Sequence, residues 1–92
     1  MKHYNRQNND FIIHPGETLN EILIERNITV KELSRETNIA ESNITSIIDG
    51  EKDIDLNTAI KLAKVLSIDV YFWINLQLNY NVELNDFTNI EN

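Results

Sequence analysis

The segment from Val30 to Asp49 constrains the fold more than any other. It places apolar residues at Leu33, Ile39, Ile44, Ile47 and Ile48, and small Ser34 four positions before Asn38. Spacings of three and four predict two short helices, joined only by Asn38 to Ala40. Helices that cross steeply at so short a turn need a small side chain at the crossing and a backbone that tolerates the left-handed conformation. Ser34 and Asn38 meet those needs. The isoleucines turn the second helix inward and leave Glu41, Ser42, Thr45 and Ser46 on its outer face.

The rest of the chain reads the same way. Pro15 suits the first position of a helix, where its missing N–H had no partner anyway. Leu19, Ile22, Leu23 and Arg26 then share a face, and Asn27 ends the helix. Thr29 and Glu32 have the spacing of a capping box. Gly50 follows the third helix at a usual terminating position. Asp55 caps a fourth helix, with Leu56, Ala59, Ile60, Ala63 and Leu66 expected toward the core. Asp69 caps a fifth, which carries Val70, Phe72, Trp73, Leu76 and Tyr80. The alternation of half-buried strands is scarce. The expectation is an all-α, five-helix domain over residues 13–80, between a flexible N-terminal tail (1–12) and a C-terminal tail (81–92).

A chain of 92 residues allows one domain and one core. It has no cysteine, which excludes disulfides and thiolate metal sites. No apolar run approaches the roughly 20 residues that span a bilayer. The polar, Asn-rich start, Met1 to Asp10, does not resemble a secretion signal. A cytoplasmic protein without membrane contact is expected. The net charge of −7 is unusual for a nucleic-acid binder. It suits a basic protein partner, and DNA only where the few cations gather on one face.

The crossing helices of residues 30–49 have the spacing of a helix-turn-helix, whose second helix enters the major groove. Three runs, His14-Pro15-Gly16-Glu17, Lys31-Glu32-Leu33 and Ile44 to Gly50, resemble the Cro and lambda-repressor class. The run Phe72-Trp73-Ile74-Asn75-Leu76-Gln77-Leu78-Asn79-Tyr80 is similar to the end of HigA-type antitoxin domains. The resemblance spans residues 14–80. It implies a lambda-repressor-like domain that dimerises, binds its own operator DNA and captures a HigB-type toxin, a small basic endoribonuclease. The chain departs from that pattern in several places. The family usually has Gln at Val30, Gly at Asn38 and a capping Ser at Ala40, and often Arg at Glu41 and Ser46. Alanine cannot cap, a loss of about 1 kcal/mol.

Candidate DNA contacts follow. Ser42, Asn43, Thr45 and Ser46 carry hydroxyls and amides that reach bases or phosphates, unless they form an ordinary polar surface. Glu41 either accepts from a cytosine amino group or favours the helix N-terminal dipole. Lys31 and Arg35 lie one turn apart and are candidate phosphate clamps, as is Lys52. From Thr29 to Asp53 these three cations face Glu32, Glu36, Glu41, Asp49, Glu51 and Asp53, a local balance of −3. Weak, salt-sensitive DNA binding is therefore expected. Glu17, Glu21 and Glu25 form a ridge that a basic toxin could meet, or a solvated face. Leu76, Leu78 and Tyr80 are candidate dimer contacts. His3 and His14 are isolated, so no metal is expected. No nucleophile–base pair or phosphate loop suggests an enzyme, a cofactor or a small-molecule substrate. Two alternatives stay open: a stand-alone phage or mobile-element repressor, and a protein-interaction domain that has lost DNA binding.

Overall fold

The computed structural model describes the backbone of residues 2–4 and 11–91, and the side-chain surroundings of residues 12–86. Five helices carry the fold: α1 (Pro15–Arg26), α2 (Val30–Thr37), α3 (Glu41–Ile48), α4 (Leu56–Leu66) and α5 (Val70–Glu91). Each boundary has a local cause. His14 caps α1, its Nδ1 accepting from the Gly16 N–H at 2.9 Å. Thr29 and Glu32 form the full capping box of α2. Asp55 caps α4 by accepting from the Thr58 N–H at 2.8 Å, and Asp69 accepts from the Tyr71 N–H at the start of α5. Helices α1, α2 and α4 end in left-handed Asn27, Asn38 and Ser67. After α3 the chain turns at Gly50, whose φ of 80° only glycine adopts freely.

The core gathers Leu19, Leu23, Leu33, Ile39, Ile44, Ile47, Ile54, Ala59, Leu62 and Leu66 around fully buried Trp73. Phe72 meets the Trp73 ring edge-on, with centroids 5.1 Å apart. The Arg26 guanidinium donates to the Leu66 carbonyl at 2.6 Å and so ties the end of α1 to the end of α4. Gly16 makes the tightest approach. A Cβ there would overlap the backbone carbonyl of Ile47, so α1 begins in direct contact with the end of α3.

Four expectations need correction. Residues Lys2–Tyr4 (β1) and Phe11–Ile13 (β2) pair antiparallel, with His3 opposite Ile12, and Ile12 is buried. Part of the expected N-terminal tail is thus a two-stranded ribbon whose second strand packs on α5; the remainder, Met1 and residues 5–10, lies outside the described residues. The C-terminal boundary also moves, because α5 continues without a break past Tyr80 to Glu91. On α4 the apolar residues cover a wider arc than the core occupies. Ala59, Leu62 and Leu66 are buried, while Leu56 and Ile60 on the flank are exposed. On α5 the buried line runs through Trp73, Gln77 and Tyr80, which leaves Val70, Phe72 and Leu76 only partly covered.

Two substitutions test this account. Gly16→Ala should destabilise the fold by about 2–3 kcal/mol through forced separation of α1 and α3, read by urea unfolding. Ala40→Ser should stabilise it by about 1 kcal/mol, because α3 lacks a side-chain cap.

Candidate nucleic-acid interface

The turn between α2 and α3 is fixed by short side chains. Ser34 Oγ donates to the Ile39 carbonyl at 2.5 Å, and the Asn38 N–H donates to the Ser34 carbonyl at 2.8 Å. Thr37, which the sequence reading did not single out, is buried between them. Its hydroxyl donates to the Leu33 carbonyl at 2.7 Å and accepts from the Ile39 N–H at 3.2 Å. Ile44 and Ile47 then seat α3 on the core. This leaves Glu41, Ser42 and Thr45 exposed in a row, with Asn43 and Ser46 half-buried beside them.

Lys52 reaches back to this helix, its Nζ 3.1 Å from Asn43 Oδ1. An ammonium has three donors, so most of its capacity stays open to an anion. A cleft of about 210 Å³ lies below, lined by Asn38, Asn43, Lys52, Asn57, Thr58 and Lys61 among others. The cleft brings the first turn of α4 to the same surface as α3. Asn57, Thr58 and Lys61 were missed in the sequence, although Asp55 as cap places them in the opening turns of α4. Lys31 and Arg35 are exposed on α2.

The loop that carries Lys52 is pinned from both ends of the domain. Buried His14 places its Nε2 3.3 Å from Asp53 Oδ1. Its Nδ1 accepts the Gly16 N–H, so Nε2 carries the proton and donates to the carboxylate. Burial holds the imidazole below its ordinary pKa, against the opposing pull of Asp53. The contact is therefore a hydrogen bond from a neutral ring at pH 7. Tyr80 meets that ring edge-on at 4.8 Å. Burial, followed by the Asp53 charge, raises the Tyr80 phenol. One residue further along the loop, the Ile54 N–H donates to Gln77 Oε1 at 2.8 Å, and Gln77 Nε2 donates to Asn81 Oδ1. His14 is thus not isolated. Tyr80 is buried by this cluster and Leu76 is half-buried against the core, so of the three candidate dimer residues only Leu78 is exposed. Glu17 is half-buried, which shortens the expected acidic ridge to exposed Glu21 and Glu25. Among the described residues, no group of three or more His, Asp or Glu could hold a metal ion, and no helix is long and apolar enough to cross a membrane.

Residues 18–70 match the Cro/C1-type HTH DNA-binding domain. An addiction module antidote protein of the HigA family from Coxiella burnetii is 33% identical, with a TM-score of 0.72 over 78% of this chain and 79% of that one. The chain belongs to the HigA antitoxin family, within the Cro/C1-type class. Pseudomonas aeruginosa antitoxin HigA, solved with the higBA promoter, is 30% identical to this HigA-family chain. Its TM-score is 0.81 over 86% of this chain and 87% of its own. The uncharacterised HTH-type transcriptional regulator YddM of Escherichia coli K12 is 33% identical over 68% of this chain and 67% of its length.

The depressed pKa of His14 has a definite sign. The unfolded chain takes up this proton near pH 6.5, while the folded chain resists it to lower pH. The stabilisation is complete above pH 6.5 and is lost as pH falls below it toward the folded value. Glu32 and Asp55, both lowered by hydrogen bonds at their caps, lose theirs only at more acidic pH. Urea midpoints should therefore fall between pH 6.5 and 5.5. His14→Asn, which caps but does not titrate, should flatten that slope; an unchanged slope would assign it elsewhere.

Proposed function

We propose that this HigA-family chain is the antitoxin of a HigB/HigA-type module, which represses its own operon through α3 and neutralises a small basic RNase toxin. The observation that carries the DNA half is the exposed row Glu41, Ser42 and Thr45 on a helix whose turn is locked by Ser34 and Thr37. Ser42, Asn43, Thr45 and Ser46 face the bases. Lys31, Arg35, Lys52 and Lys61 face the phosphates. The start of α3, without a side-chain cap, offers its N–H groups to the same backbone. Glu41 sits in that first turn and discriminates rather than attracts. The chain acts as a homodimer on a palindrome, as two-fold helix-turn-helix proteins do. The operator complex of the similar Pseudomonas antitoxin supports this reading.

Exposed Glu21 and Glu25, with Ile24 between them, form the surface offered to the basic toxin. The local acidic balance favours a second reading, a protein-interaction domain that no longer binds DNA.

Gel-shift titration against the DNA upstream of its own gene separates them. A specific shift at low salt, weakening as salt rises, is expected; no specific shift at any salt would overturn the repressor half. Lys52→Ala or Lys61→Ala should weaken binding to all sequences alike and lower the log–log salt slope by about 1. Ser42→Ala or Thr45→Ala should instead relax sequence preference, by about 1 kcal/mol. For the toxin half, co-purification with the basic protein encoded beside it, and loss of that protein's RNase activity, are expected. Glu21→Lys combined with Glu25→Lys should abolish both.

A further inference from the structure

Gln77 is buried in α5, where an apolar side chain would pack without the cost of desolvating an amide. Both ends of that amide are bonded. Its Oε1 accepts from the Ile54 N–H at 2.8 Å, and its Nε2 donates to Asn81 Oδ1 at 3.0 Å. A backbone N–H can only donate, so the amide oxygen must face Ile54 and the nitrogen must face Asn81. Asn81 stands one turn further along α5 and holds the amide in that orientation. The bond to Ile54 joins positions 23 apart in the chain and reaches the loop between α3 and α4.

Lys52 lies on this loop, two residues before Ile54. On the α3 side the loop is held by the Ser46 carbonyl, which accepts from the Glu51 and Lys52 N–H groups at 2.9 and 3.2 Å. On the α5 side it is held by Gln77, with His14 on Asp53 beside it. The Asp53 contact is the weaker of the two, at 3.3 Å from a side chain that is 64% exposed and open to water. Lys52 stands between the anchors, exposed, with its Nζ on Asn43 of α3. A lysine side chain has many rotamers, and a contact made through it costs the entropy of collecting them. A root fixed from both sides narrows that spread before any anion arrives.

We infer that Gln77 is a positioning residue for operator binding, which acts through the Ile54 N–H to hold Lys52 where its ammonium meets a DNA phosphate. The inference rests on the operator reading. It gives a buried residue of α5 control over a contact made beside α3, and it makes Asn81 the support of that residue. A glutamine that only filled the core would alter stability and leave the Lys52 contact intact.

A double-mutant cycle on the full chain tests it, read as the log–log salt slope of DNA binding. In the wild type, Lys52→Ala should lower the slope by about 1. In a Gln77→Leu background it should lower it by less than about 0.3, because most of that contact is already lost. Gln77→Glu keeps an acceptor toward Ile54 and should recover the wild-type response. Asn81→Ala changes an exposed residue, so it reads the same chain of contacts if Gln77→Leu does not fold; it too should blunt the effect of Lys52→Ala. Amide hydrogen exchange on the free chain gives a readout without DNA. Gln77→Leu or Asn81→Ala should speed exchange at Ile54 at least about tenfold, while Ile47 and Ile48 of α3 keep their protection. A full unit of slope lost to Lys52→Ala in both variant backgrounds, unchanged exchange at Ile54, or a Gln77→Glu chain that behaves like Gln77→Leu would each overturn the inference. A wild type that binds no DNA would sink the operator reading, and exchange at Ile54 would then decide whether Gln77 holds the Lys52 loop.

Discussion

The approach of Gly16 to the Ile47 carbonyl sets the position of α3 against α1, and with it the exposed face of α3. Helix α3 is short, and its inward face holds only Ile44, Ile47 and Ile48. Its direction is fixed by what it leans on. Because α1 starts with no Cβ at that point, the two backbones touch. His14 and Pro15 then fix how the chain enters. His14 caps α1 with one ring nitrogen and holds Asp53 with the other. The loop after α3 is thereby tied to the start of α1, and Gln77 and Tyr80 of α5 close the same knot from the far end of the domain. The polar residues of the two family signatures act on one loop, which delivers Lys52 to the outer surface.

This explains a division of labour in the sequence. His14, Gly16, Gln77 and Tyr80, which lie in the runs that resemble the family, are all buried. Of the positions that depart from the usual pattern, Asn38, Ala40 and Glu41 are exposed, and Val30 and Ser46 are half-buried. The buried residues thus follow the pattern, while several residues in and around α3 do not.

Helix ends were legible because their causes are local. Pro15, Asn27, Thr29 with Glu32, Asn38, Gly50 and Asp55 each act within a few residues of where they stand. Ser34 and the isoleucines of α3 fixed the turn for the same reason. What the sequence concealed depends on distant partners. His14 looked solitary because Asp53 is 39 positions away. The ribbon of β1 and β2 is too short to show alternation. Leu56 and Ile60 have helical spacing with the core residues of α4, and only the packed neighbours decide which edge of a broad apolar arc is covered. Lys61 joins the candidate interface through the cleft between α3 and α4, which no spacing rule encodes.

The net charge of −7 also affects how the molecule meets a polyanion. In the operator complex proposed above, DNA at a distance would sense the net charge and repel the protein; at close range the cations proposed to face the phosphates, on α2, the α3–α4 loop and α4, would offset it. Productive encounters are therefore selected by orientation before any contact forms. Added salt screens the long-range repulsion and speeds association, while it weakens the bound state by competing for phosphates. Rate and affinity thus respond to ionic strength in opposite directions, a kinetic signature that a basic repressor of the same fold would not have.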